Sequence, residues 1–171
     1  MKRGIVLKGA LVALSQMTEA DQTKFCIWLQ NSELRLLIDD DRVPGLEDQM
    51  KWFKRVQQPD RKFFSLIAIP DGKLIGNCGF VDIDNARHEA TLRITIGNPD
   101  YLGKGLGTEA VSLLTHYGFE SMSLKKIFLK VLSTNTRAIR SYEKVGFSVM
   151  SEETKDGKTI MTMNFVKPAR L

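Results

Sequence analysis

The chain has 171 residues, of which 43% are hydrophobic and 26% charged, and this balance is typical of one soluble domain with a sizeable core. The net charge of +5 favours an anionic partner, but the basic residues are scattered and not interleaved with aromatic ones, which argues against a nucleic-acid binder. Two cysteines, Cys26 and Cys78, are too few for a disulfide framework or a metal site, so we expect free thiols in a reducing compartment and no bound metal.

The amino terminus combines basic residues with an apolar run, as a secretory signal does, but Lys8 interrupts the run and no clean cleavage site follows. No stretch reaches the roughly 20 apolar residues of a membrane span. Lys8 and Gly9 are instead typical of a hairpin turn between strands at 5–7 and 11–14. The sequence therefore predicts a cytoplasmic protein without membrane contact that begins with a strand pair.

Two helices are predicted after this strand pair. Thr18, with Asp21 three residues later, is typical of a helix start. Residues 31–45 are predicted to form a polar connection around a short apolar island. The second helix is predicted from Leu46 to about Val56, because apolar residues recur there at helical spacing.

Strands dominate the middle of the chain. Residues 62–69 and 73–83 flank a Pro-Asp-Gly turn at 70–72, a strong hairpin signal, and residues 88–97 form a further strand. A long helix is predicted at about 106–122.

The last part is predicted to hold a strand, a helix and a hairpin. Residues 125–132 are apolar enough for a fully buried strand, and the next helix begins at Asn135 or Thr136 and ends at Gly146. A hairpin over 147–166 follows. The order ββ-α-α-βββ-α-β-α-ββ indicates an α+β or α/β domain with a mixed, largely antiparallel sheet and about four helices.

A glycine-rich turn precedes the long helix, with glycines at 103, 105 and 107 and Lys104 between the first two. Such a turn exposes backbone N–H groups at the positive end of the helix dipole, and this combination binds phosphate. The phosphate-loop pattern does not fit, since no Ser or Thr follows a Gly-Lys pair, and the G-x-G-x-G spacing is one residue short of the dinucleotide pattern. A purely structural turn is the alternative.

Two stretches together, IGNPDYLGKGLGTEA at 96–110 and LKVLSTNTRAIRSYEKVGF at 129–147, resemble the GNAT superfamily of acetyl-coenzyme A-dependent N-acetyltransferases. The closest likeness is to its ribosomal-protein N-terminal and spermidine acetyltransferase branch. It covers nearly the whole chain, including LVALSQMTEAD at 11–21 and KLIGNCGFVDID at 73–84. The resemblance implies a single acetyltransferase domain over 1–171 with the three-layer fold of that family.

The resemblance also implies how acetyl-coenzyme A binds. The family pattern [Arg/Gln]-x-x-Gly-x-[Gly/Ala] maps onto residues 102–107, with Leu102 in place of the usual Arg or Gln. The turn would hold the pyrophosphate through backbone N–H groups, and the strand before it would contact the pantetheine arm. The implied cofactor-binding residues are Thr95, Ile96, Gly97, Leu102, Gly103, Lys104, Gly105, Leu106, Gly107, Thr108, Asn135, Ala138 and Tyr142.

Tyr142 is implied to lie near the thioester sulfur and to protonate the departing thiolate. Asn135 would bond the pantetheine arm or an ordered water, and Ala138 would leave space for the cofactor. Arg137 or Arg140 is a candidate partner for the 3′-phosphate. The alternative for Tyr142 is a core aromatic residue at helical spacing.

The general base is less clearly indicated. Family members often carry a carboxylate at the position of Thr91, which this chain does not. Glu89 shares the face of Thr91 on the predicted strand and is our candidate base. His88, the aspartates at 82 and 84, and a water relayed by backbone groups are alternatives.

The acceptor is expected to be a primary amine that attacks the acetyl group directly in a ternary complex. A protein N-terminus, a polyamine, an amino sugar and a small amine all fit, and a homodimer is common in this family. The acidic run at 39–41 would favour a cationic acceptor, although such runs are usually solvated loops. A catalytically idle coenzyme A-binding or adaptor protein is the main alternative function.

Overall fold

An eight-stranded sheet runs through the computed structural model, which describes residues 4–169. The basic residues at the start of the chain, and the ends of the expected domain, lie outside this range. The strands are β1 (Ile5–Lys8), β2 (Val12–Gln16), β3 (Lys62–Ala68), β4 (Leu74–Asp84), β5 (Glu89–Ile96), β6 (Lys126–Leu132), β7 (Ser148–Lys155) and β8 (Lys158–Val166). Their order across the sheet is β1-β2-β3-β4-β5-β6-β8-β7.

Five α-helices within residues 4–169 cover the sheet. They are α1 (Asp21–Trp28), α2 (Ser32–Leu37), α3 (Leu46–Arg55), α4 (Leu106–Glu120) and α5 (Thr136–Val145), and a 3-10 turn at Pro99–Tyr101 precedes α4. The neighbouring strands pair antiparallel, except for the parallel pair β5 and β6. The mixed, largely antiparallel α/β fold that the sequence predicts is therefore confirmed.

The two faces of the sheet carry different helices. The larger core cluster joins the sheet to α4 and α5, and includes Phe80, Leu92, Leu114 and Leu129. A smaller cluster on the other face packs Phe25 of α1 and Trp52 of α3 against β2 and β3. The sheet thus forms the middle of three layers.

Helix α2 lies where a polar connection without a helix was expected. Asn31 caps it, because its side chain accepts hydrogen bonds from the backbone N–H groups of Glu33 (2.8 Å) and Leu34 (3.3 Å). No α2 residue is fully buried. The helix was missed because six residues are too few to show a helical repeat, and its cap is the main local signal.

The apolar sequence of strand β6 predicts a fully buried strand, but the structure buries only part of it. Ile127, Leu129 and Val131 are buried in the larger core cluster, whereas Lys130 is exposed. Only one face of the strand therefore packs against helices, and the lysines of the stretch mark the open face.

The parallel pair β5 and β6 is short. Pairing runs from Glu89 with Lys126 to Thr91 with Phe128, and the rest of the two strands diverges. This divergence opens the sheet at the end of β5 that leads into the glycine turn. None of the helices among residues 4–169 combines the length and apolar character needed to cross a membrane.

Candidate active site

A cavity of about 660 Å³ lies where β5 and β6 diverge. It extends from the glycine turn, along the ends of both strands, to helix α5. Most of the predicted cofactor-binding residues line it: Thr95, Ile96, Leu102, Gly103, Gly105, Gly107, Thr108, Asn135, Ala138 and Tyr142. The fold therefore brings the two sequence motifs into one site.

The glycine turn adopts a backbone that requires glycine. Gly103 has φ of +72° and Gly105 has φ of +81°, in the left-handed region that side chains with a Cβ disfavour. Gly105 is also the N-cap of α4, so the first free N–H groups of this helix follow it directly. A Cβ at Gly103 would meet no protein atom within 4 Å, so the turn faces open space. This geometry fits a phosphate ligand.

Three predicted cofactor residues do not line the cavity. A Cβ on Gly97 would lie 2.3 Å from the Trp28 ring, so the glycine allows β5 to pack closely on α1. Leu106 is 7% exposed and belongs to the larger core cluster. The Lys104 ammonium lies 5.9 Å from the centroid of the Tyr101 ring.

Glu109, in the first turn of α4, was not singled out from the sequence. Its carboxylate accepts three backbone hydrogen bonds from the β1–β2 turn, from Ala10 (2.9 Å), Leu11 (2.7 Å) and Val12 (2.7 Å). A Cβ on Gly9 would come within 2.6 Å of the same carboxylate. Glu109 thus fixes the N-terminal hairpin to the helix that begins at the glycine turn. No local sequence pattern indicates a contact across so many residues.

Tyr142 lies in the wall of the cavity and is 8% exposed. Its ring packs edge-on against Phe147, with 6.2 Å between the centroids. Burial raises the pKa of the Tyr142 phenol to about 12, and the positive charge of Arg93 acts in the opposite direction. The phenol is therefore protonated at neutral pH and can serve as a proton donor.

Two polar contacts hold α5 at the cavity. The Asn135 side chain accepts a hydrogen bond from the backbone N–H of Ala138 (3.3 Å), which makes Asn135 the N-cap of α5. Its amide NH₂ group is the part that a ligand could use. Thr108 of α4 donates to the Ser141 hydroxyl of α5 (3.0 Å), which joins the two helices beside the cavity.

The structure does not bring Glu89 together with Tyr142. Glu89 begins β5, in the segment still paired with β6, and does not line the cavity. Its carboxylate contacts Lys126 (3.5 Å) and Arg87 (3.3 Å). The alternation of side chains along a strand predicts which face Glu89 lies on, but it does not predict how far along the strand the cavity begins.

The alternative bases lie at the same end of the sheet. The His88 ring nitrogen Nδ1 is 3.1 Å from the Ser123 carbonyl oxygen, and Asp84 accepts hydrogen bonds from the backbone of the β4–β5 turn. Among the described residues that line the cavity, Asp39 is the only carboxylate.

The acidic run at 39–41 is paired with cations. Lys158 at the start of β8 lies 2.9 Å from Asp39 and 3.6 Å from Asp41, and its hydrogen bond to Asp39 raises the lysine pKa. Asp40 is bound by Arg42 at 2.9 Å, and this hydrogen bond lowers the pKa of the Asp40 carboxyl. The run therefore offers less net negative charge than its sequence suggests.

Within the part of the chain that the structure describes, five cationic side chains line the cavity, and the sequence pointed to only two of them. They are Arg93, Lys130, Arg137, Arg140 and Lys144. A second cavity, of about 580 Å³, lies against α1 and α3 and shares Ile38 and Thr95 with the first. The two cavities thus have part of their walls in common.

Known proteins share sequence similarity with this chain. The model of the acetyltransferase (GNAT) domain matches residues 12–148. Spermidine N(1)-acetyltransferase of Escherichia coli K12 is 39% identical over 95 residues, which cover 56% of this chain and 49% of that protein. Aminoglycoside N(6′)-acetyltransferase type 1 of Klebsiella pneumoniae is 29% identical over 161 residues, covering 87% and 80%.

The fold also matches solved structures. The spermidine N-acetyltransferase from Vibrio cholerae, in complex with CoA and spermine, superposes with a TM-score of 0.85 at 18% identity, covering 92% of this chain and 96% of that one. At this identity the match shows the fold alone. The chain spans about half the length of the first curated relatives that it matches. The family match covers most of the chain, and the chain belongs to the GNAT acetyltransferase family.

Proposed function

We propose that this protein transfers the acetyl group of acetyl-coenzyme A to a primary amine of a small molecule. One observation carries the proposal: a left-handed glycine turn at a helix N-terminus and a buried, protonated phenol open onto the same cavity. The first suits a diphosphate, and the second suits a leaving thiolate.

The cavity offers backbone groups for the whole length of the cofactor. The N–H groups around Gly103 and Gly105 would hold the pyrophosphate, whereas the N–H of Leu102 already donates to the Pro99 carbonyl oxygen (3.1 Å). Where β5 leaves β6, Thr95 and Ile96 line the cavity. The Thr95 carbonyl oxygen lies against Gly76 of β4, so the backbone groups of the next residue, Ile96, point to the open edge. Buried backbone groups need partners, and the two amides of the pantetheine arm would supply them.

The proposed reaction is a direct attack. The neutral amine nitrogen attacks the acetyl carbon, a C–N bond forms, and the C–S bond breaks. Tyr142 gives its proton to the sulfur, and the proton that the nitrogen loses on becoming an amide returns to the phenolate through water. Transfer from a phenol of pKa about 12 to a thiolate whose thiol titrates near ~8.5 is uphill, so the donor acts as the C–S bond breaks rather than before it.

The amine must lose a proton before it attacks. At pH 7 this costs roughly 4.6 kcal/mol for an alkyl amine of pKa ~10.4 and roughly 1.4 kcal/mol for an α-amine of pKa ~8. Asp39 is the only carboxylate among the described lining residues, and it is held by Lys158. The proton would therefore leave through Asp39 or through water at the mouth of the cavity.

Support for a small-molecule acceptor comes from the relatives. Two of them are named for spermidine and for aminoglycosides, which share a primary amine on a small molecule. The alternative is a protein that binds coenzyme A without catalysis, and it is favoured by the missing carboxylate at Thr91.

Release of coenzyme A from acetyl-coenzyme A, measured with a panel of primary amines, tests the proposal. We expect turnover with at least one amine, and saturable heat of binding for acetyl-coenzyme A by calorimetry. Binding without turnover on any amine would favour the idle protein. No binding at millimolar ligand would exclude both.

A further inference from the structure

Two of the cations that line the cavity lie at the gap between the strands rather than on α5. Of the five that line the cavity, Arg137, Arg140 and Lys144 lie three and four residues apart on one face of α5. We expect this face and the glycine turn to bind the pyrophosphate and the 3′-phosphate of acetyl-coenzyme A. Arg93 and Lys130 lie instead on the strands themselves.

Arg93 and Lys130 occupy equivalent positions on β5 and β6. Each is two residues beyond the last paired residues, Thr91 and Phe128, so one cation flanks each side of the gap where it opens. Their neighbours Leu92 and Leu129 are buried under α4 and α5, and the two cations therefore belong to the opposite face of the sheet. Thr95, on that same face, reaches the second cavity against α1 and α3.

Neither cation has a carboxylate partner among the described residues. Within residues 4–169, no Asp or Glu oxygen lies within the 4.0 Å ion-pair distance of Arg93 or Lys130. Asp39, on the same cavity, is already held by Lys158. The side of the gap that faces away from α4 and α5 therefore carries uncompensated positive charge, close enough to Tyr142 for Arg93 to act on it.

This charge selects among amines. A polycationic acceptor would be repelled by two unpaired cations, whereas an anion would be attracted, and Arg offers a planar pair of N–H donors that suits carboxylate and phosphate. We propose that Arg93 and Lys130 bind an anionic group, a carboxylate or a phosphate, on the amine that the enzyme acetylates. This inference rests on the proposed function and adds the charge of the acceptor to it.

Matched amines test the inference. We would compare kcat/KM for 5-aminopentanoate with pentylamine, for glucosamine 6-phosphate with glucosamine, and for 1,5-diaminopentane. We expect the anionic member of at least one pair to be preferred roughly ten- to a hundredfold, the range for a hydrogen bond to a charged group. The pair that shows the preference identifies carboxylate or phosphate as the ligand.

Variants separate a role in acceptor binding from other roles. Arg93→Met and Lys130→Met should raise KM for the anionic amine and leave KM for its uncharged partner and for acetyl-coenzyme A unchanged. Because the Arg93 charge also acts on the Tyr142 phenol, a change in kcat for Arg93→Met should be the same for both amines, and Arg93→Lys should restore part of the preference. Lys155→Met, which removes an exposed charge from β7, is the control for net charge. An equal rise in KM for every amine, or a raised KM for acetyl-coenzyme A, would overturn the inference.

Binding of the amines tests the role of Arg93 even if no amine is acetylated. With the protein saturated with coenzyme A, calorimetry should detect glucosamine 6-phosphate or 5-aminopentanoate, and Arg93→Met should abolish the heat. If neither amine binds, or if 1,5-diaminopentane binds better than both, the inference fails. The proposed function fails separately, when amines bind and none is acetylated.

Discussion

Replacement of Tyr142 by Phe removes one hydroxyl from a buried ring. The ring keeps its edge-on contact with Phe147 and its place in the core cluster, so the fold should persist. Proton transfer from a phenol of pKa about 12 to a thiolate of pKa ~8.5 spans about 3.5 pKa units, or roughly 5 kcal/mol. A donor this weak contributes near the low end of the usual range, and we expect kcat to fall by about 10²-fold.

Steady-state release of coenzyme A, with the preferred amine at saturation, measures this loss. KM for acetyl-coenzyme A should stay within about twofold, because the hydroxyl acts on the leaving sulfur and not on the cofactor's anions. Since the raised pKa keeps the phenol protonated, the wild-type rate should show no alkaline decline below about pH 11. A kcat for Tyr142→Phe within threefold of wild type would refute the role of the phenol as proton donor.

Three further predictions concern the turn, the N-terminal hairpin and alkaline stability. Gly105→Ala places a Cβ in the left-handed region at a cost of ~1–2 kcal/mol, and it should lower the melting temperature about as much as Gly157→Ala, at a second glycine with positive φ. Only Gly105→Ala should raise KM for acetyl-coenzyme A. Equal KM values in the two variants would contradict the assignment of the turn to the cofactor. Glu109→Gln weakens three backbone hydrogen bonds and should lower the free energy of unfolding by ~2 kcal/mol, which lowers the melting temperature by roughly 4–8 °C. The control Glu143→Gln, at an exposed residue, should leave the melting temperature unchanged. An unchanged melting temperature for Glu109→Gln would show that the contact does not stabilise the fold. Because the folded pKa of Tyr142 exceeds the ordinary value of ~10, the unfolded phenol ionises first, so its contribution to stability is complete below pH ~10 and is lost as pH rises to about 12; denaturant titrations should show this loss in wild type and not in Tyr142→Phe.

Local signals were enough for much of the fold. The turns at 70–72 and 156–157 are correctly predicted, and the second places Asp156 and Gly157 at positive φ, as a tight hairpin needs. The glycine turn was predicted because its residues are consecutive, so its backbone and the helix that follows can be inferred from the sequence alone. These features depend on neighbours within a few residues.

The parts that were missed depend on distant contacts. Glu109 contacts residues nearly a hundred positions away, and Arg93 and Lys130 line one cavity only because their two strands pair briefly and then separate. Glu89 was a reasonable candidate on alternation, yet the length of that pairing puts it outside the cavity. A sequence pattern gives the face of a strand, but the position of a residue along a gap follows from the register of its neighbours.

The short pairing between β5 and β6, called the seam here, is a weak connection between the two halves of the sheet. Three residue pairs join the halves there, whereas β6 meets β8 over seven. A ligand that lies across the seam replaces the missing ladder, so acetyl-coenzyme A would fasten β1–β5 to β6–β8 as well as react. Ligand at a hundredfold its Kd would add roughly 2.7 kcal/mol to the free energy of unfolding, and the slowing of amide exchange should concentrate along the inner edges of these two strands.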